Sequence, residues 1–129
     1  MKRLAPIALA TLLAGAPMSD AAAEPADIAH HQACSAAYIV LLDQQDDDAM
    51  IQYFEGRAIG SWEAYAADGG LLGDEVFLTQ AMSEAETIEA AIAKADEADA
   101  RAQLIGVYEK AGACDAAYGW PVTPVDPSL

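Results

Sequence analysis

From Cys34 onward the apolar positions recur with a helical period, and short polar clusters punctuate them. Asp27 is a suitable N-cap, and residues 27–45 read as a first helix. Cys34, Ala37, Tyr38, Leu41 and Leu42 fall at i, i+3, i+4, i+7 and i+8, which is a single apolar stripe. The acidic run 43–48 breaks the pattern, and Asp46 or Asp47 can cap a second helix over 48–67. Ile51, Phe54, Ala58, Trp62 and Tyr65 step along one of its faces. Gly56 and Gly60, four apart, either admit a close neighbour or weaken the helix by ~1 kcal/mol each. Asp68, Gly69 and Gly70 end it.

A third helical region begins near Asp74, with Val76, Phe77, Gln80 and Ala81 in register. Ser83 to Glu86 matches a capping box, which predicts a new helix or a kink at Ser83. Ile88, Ala91, Ile92 and Ala95 form the next stripe, and the acidic run 96–99 marks a turn or an exposed face. The last helix is expected over 100–118, on Leu104, Val107, Tyr108, Ala111 and Cys114. Gly119 and Pro121 stop it, and residues 121–129, with three prolines, read as an extended, flexible tail. No segment alternates with period two. The expected fold is all-α: a small antiparallel, up-and-down bundle of about four helices, occupying residues 24–120.

The N-terminus has a different pattern. Lys2 and Arg3 precede an apolar stretch over 4–16, and Ala21, Ala22 and Ala23 supply small residues for cleavage. Residues 1–23 therefore read as a cleaved secretory signal, and the product as periplasmic or secreted. The apolar stretch is shorter than the ~20 residues a membrane span requires, so no stable insertion is expected after cleavage. Export also bears on the two cysteines. An oxidising compartment favours a Cys34–Cys114 disulfide, and an up-and-down bundle places the start of its first helix beside the end of its last. Closing so long a loop stabilises a fold by ~4 kcal/mol in the chain-entropy picture.

Charge narrows the partners. The whole chain carries −15, and cleavage would remove Lys2, Arg3 and Asp20, leaving four bases against 20 acids. That excludes nucleic acid and disfavours anionic membranes, so a protein is the expected partner. Candidate chemistry is sparse. His30, His31 and Cys34 could share a helix face and bind a transition metal, but a disulfide removes the thiolate. His30 and His31 read first as polar surface. The acidic run 46–48 and the loop 68–74 do not match a calcium loop, and Glu63 has no partner acid for glycoside hydrolysis. The serines lack a nucleophile-elbow context; no CxxC, CxxCH or phosphate loop occurs. No enzyme activity and no cofactor are expected. Tyr118 and Trp120, beside Pro121, either cap the bundle or present a sticky patch for a partner. The expected function is contact with another protein. The alternative is a small-molecule or metal binder using the bundle core or the His30–His31 corner.

Overall fold

The computed structural model describes residues 26–129. The signal read at residues 1–23 and its cleavage site lie outside the described residues. Four helices follow one another: α1 (Ile28–Asp43), α2 (Asp48–Ala67), α3 (Asp74–Lys94) and α4 (Glu97–Tyr118). No strand occurs among the described residues.

Aspartates start three of the four helices. Asp27, Asp47 and Asp96 each accept a backbone N–H of their first turn, from His30, Met50 and Asp99 at 3.1, 3.1 and 2.8 Å. Orphan amides at a helix start need such an acceptor, and the positive end of the helix dipole favours the negative charge. The acidic run 96–99 is therefore the cap and first turn of α4, which begins earlier than its apolar stripe alone predicts. Glycines end α2 and α4. Gly69 (φ 95°) and Gly119 (φ 77°) adopt the left-handed conformation. Behind them the N–H groups of Gly70 and Trp120 reach back to the carbonyls of Tyr65 and Asp115 at 2.9 and 2.8 Å.

The capping box at Ser83 is not used. Helix α3 runs unbroken from Asp74 to Lys94, and Ser83 is exposed on it. A cap there would force Ser83 into an extended conformation. That would break the stripe of Phe77, Ala81 and Ala85, which α3 buries across the same point. Tertiary packing outweighs the local motif.

Helix α1 packs against all three others. Its burial is wider than one stripe: Cys34 to Tyr38 is buried without a gap, as are Val40 and Leu41, while Leu42 is half-buried. A helix apolar around most of its circumference belongs in the interior. Small residues at Ser35, Ala36 and Ala37 let its neighbours approach, and the Ser35 hydroxyl donates to the Ala58 carbonyl at 3.0 Å. Hydrogen bonds fix the alternating directions. His31 at the start of α1 meets Asp68 after α2 and Tyr118 ending α4, while Gln32 meets Gln80 early in α3. The disulfide between Cys34 and Cys114 ties α1 to α4 with a Cα–Cα distance of 5.7 Å. The segment after α4 is extended and fastened: Thr123 is buried, and Leu129 packs on the main core.

Candidate functional site

Two constellations stand out. The first is a polar lock that closes α1, α2, α4 and the tail on one another. Asp115 continues the α4 stripe four residues after Ala111 and has 0% exposure. One of its carboxylate oxygens accepts from the Tyr38 hydroxyl at 2.5 Å and also pairs with Arg57. The other accepts the Thr123 N–H at 2.7 Å. The Arg57 guanidinium lies over the rings of Tyr53 and Trp120, 4.6 and 5.0 Å from their centroids, and also donates to the Pro121 carbonyl. The Tyr53 hydroxyl meets Thr123 Oγ1 at 2.9 Å. Burial, and then the hydrogen bond to Asp115, push the Tyr38 pKa far above the ordinary phenol value. The hydroxyl remains a donor across the whole working range of pH.

The residues singled out from sequence lie beside this lock. His31 is buried rather than surface polar. Its Nε2 lies 3.0 Å from Asp68, and its Nδ1 lies 2.8 Å from the Tyr118 hydroxyl. With Asp68 ionised, the consistent assignment has Nε2–H donating and Nδ1 accepting. Tyr118 stacks on His31 at 5.6 Å, and Trp120 lies 4.6 Å from Tyr118 and against Gly60. Both aromatics are half-buried and turn inward. His30 Nε2 is 3.9 Å from the bridged Cys34 sulfur. Among the described residues, no three of His, Cys, Asp or Glu are grouped to hold a metal ion. Asp68, His31 and Tyr118 form a carboxylate–imidazole–hydroxyl line, but burial raises the Tyr118 pKa. The phenol stays protonated and is a poor nucleophile.

The second constellation is open. Helices α2 and α3 both lean on α1 and leave a trough of about 310 Å³ between them. Ile39 and Leu42 of α1 with Ala58 of α2 and Ala85 of α3 form its floor. Ile59 of α2 and Leu78 and Met82 of α3 form its walls. Ile59 and Met82 are 40% and 51% exposed. The charged residues lining the trough are all acids: Asp43, Glu55, Glu86 and Glu89. Glu89 Oε2 is buried and has no hydrogen-bond partner among the described residues. Burial, followed by a hydrogen bond to the Asp43 carboxyl and the charges of Asp43 and Glu86, pushes the Glu89 pKa up to about 7. A second depression of about 310 Å³ lies between α1, α3 and α4. It is lined by smaller chains such as Ala33, Ala37 and Gly106, and its Glu84 and Lys110 carry opposite charges.

Sequence reading missed both constellations. Asp115 was detectable as a lone acid on the α4 stripe, and Arg57 as one of few bases, three residues after Phe54. Nothing in the sequence marked the trough. The chain matches no protein-family model, no curated protein and no solved structure.

Proposed function

We propose that this protein is an exported, non-catalytic helical domain that works by holding another protein in the trough between α1, α2 and α3. One observation carries the reading. Ile59 of α2 and Met82 of α3 stand exposed in the lining of one trough, to which α1, α2 and α3 all contribute apolar side chains. Exposed apolar surface of this kind is stabilised when covered, by ~25 cal/mol per Å² removed from water. Export is supported by the N-terminal charge and apolar pattern, and the Cys34–Cys114 disulfide suits an oxidising compartment. No helix among the described residues is long and apolar enough to cross a membrane.

A small-molecule reading rests on the same trough, because about 310 Å³ is at the lower end of ligand-cavity sizes. Site-specific photocrosslinking in the producing cell tests both. Crosslinkers at Ile59 and Met82 should each give the same discrete adduct with a second protein. Crosslinkers at Leu71 and Val122, which are exposed but outside the trough, should not. Equal adducts from all four positions would overturn the reading. A small bound molecule in the native mass, with no protein adduct, would replace it with the second one.

A further inference from the structure

We infer that the trough takes the apolar face of a basic amphipathic helix, with Lys or Arg side chains of that helix set against Asp43, Glu86 and Glu89. This rests on the trough being the working surface. Three observations define the occupant. The first is length. Leu78 and Glu89 bound the trough along α3, and eleven residues of rise is about 16 Å, or three helical turns. That matches the anchors at i, i+3 or i+4, and i+7 of a helix laid in a groove. The second is charge. Each of the three helices contributes acid and none contributes a base: Asp43 from α1, Glu55 from α2, Glu86 and Glu89 from α3.

The alternating helix directions put the end of α1, the first half of α2 and the second half of α3 together. The acids therefore gather at one end of the trough, and Leu78 lies toward the other. A second copy of this strongly acidic chain would bring like charges together. The third observation is the unpartnered Glu89 Oε2. A buried carboxylate oxygen without a donor is costly, and an ammonium or guanidinium N–H supplies the missing bond. The raised pKa of Glu89 reflects the same crowding of acids: burial first, then a carboxyl–carboxyl hydrogen bond to Asp43 and the charges of Asp43 and Glu86.

The probe is a labelled, helix-forming Leu–Lys peptide of about 14 residues, long enough for three turns with frayed ends. Its binding to the full chain is read by fluorescence anisotropy at ~20 and ~150 mM salt. Glu86→Gln with Glu89→Gln should weaken binding by about tenfold or more, and so should Met82→Glu alone. Asp99→Asn with Glu109→Gln, on α4 away from the trough, should change it by less than about twofold. A peptide with Ser for Leu should lose binding at both salts.

Equal losses from the α4 pair, or equal binding by the Ser peptide, would reduce the effect to bulk electrostatics and overturn the inference. A Gln-for-Lys peptide that binds as tightly, and still depends on Met82, would keep the trough as the working surface and remove the cation. If no peptide showed a dependence on Met82, the trough itself would fail as the working surface. Displacement of the probe by dodecylamine, with no tighter binding of any peptide, would replace the helix with a small lipophilic amine.

Discussion

Asp115 and Glu89 are both acids set among apolar residues of the same bundle, and their surroundings could hardly differ more. Asp115 is fully buried, and both its oxygens are engaged, by Tyr38, Arg57 and the Thr123 N–H. Glu89 lies at the edge of the trough with one oxygen buried and unbonded, beside Asp43 and Glu86. Burial penalises the charged form of Glu89, whose neighbours are acids, whereas three donors, one of them a cation, surround the Asp115 carboxylate. The lock uses an acid to hold three helices and the tail in one arrangement. The trough leaves acids facing a space that the described residues do not fill. The difference separates an acid whose charge is matched inside the fold from acids whose charge is not.

The strongest way to break this contrast is to remove the carboxylate from the lock. Asp115→Ala leaves Arg57 and Tyr38 without their shared acceptor and frees the Thr123 N–H. Breaking a buried charge pair costs 3–5 kcal/mol in general. The low end, about 3 kcal/mol, is expected here, because Arg57 keeps its ring contacts, the Pro121 carbonyl and a side chain 14% exposed. Urea unfolding measures the loss. Amide exchange at Thr123 should speed up beyond the global change. Adding Arg57→Met to Asp115→Ala should recover part of the loss, since the unpaired cation is gone. A loss below ~1 kcal/mol would mean that the lock does not hold the bundle.

A smaller effect separates two glycines that look equivalent on α2. A Cβ added at Gly60 would sit 2.8 Å from the Trp120 ring, whereas one at Gly56 meets nothing within 4 Å. Gly60→Ala must shift the Trp120 ring, which packs on the Arg57 guanidinium, and overpacking of that kind costs ~1–3 kcal/mol. Gly56→Ala should gain up to ~1 kcal/mol from helix propensity. Thermal unfolding of the two variants compares them directly. Equal effects of one sign would show that Trp120 yields without cost.

The helices and the disulfide were legible because both leave periodic signatures. Tyr38 to Leu41, Phe54 to Ala58 and Val107 to Ala111 repeat at helical spacing, and Cys34 and Cys114 fall on those stripes. The caps at Asp27 and Asp47 were legible for the same local reason. Ser83 misled because a capping box is local, whereas the stripe through Phe77, Ala81 and Ala85 is fixed by α1. The lock was not legible, because its elements lie far apart and one of them is a backbone N–H. Arg57 and Asp115 are 58 residues apart, and the amide of Thr123 has no side-chain signature. The trough was hidden more deeply. It exists where α2 and α3 do not meet, and Ile59 and Met82 read in sequence like any other apolar residue of an amphipathic helix.

The smallest expected effect is the pH dependence that Glu89 brings to the trough. Glu89 has a folded-state pKa raised from 4.5 to about 7, so the folded chain holds this proton more tightly than the unfolded chain does. Below pH 4.5 the group is protonated in both states, and the folded state is favoured as fully as this group allows. As the pH rises from 4.5 through 7 the unfolded state ionises first, and the contribution is lost. This is opposite to the behaviour of a carboxylate held by a cation. Glu89→Gln removes the penalty of ionisation, so it should stabilise the protein above pH 7 and do little near pH 4.5. With allowance for solvent screening of this partly exposed group, the gain at high pH is about 1 kcal/mol. Urea unfolding at the two pH values measures it. A variant equally stabilised at both would place the effect in packing rather than charge. A variant destabilised at high pH would mean that a donor already satisfies Glu89, and the contrast with Asp115 would disappear.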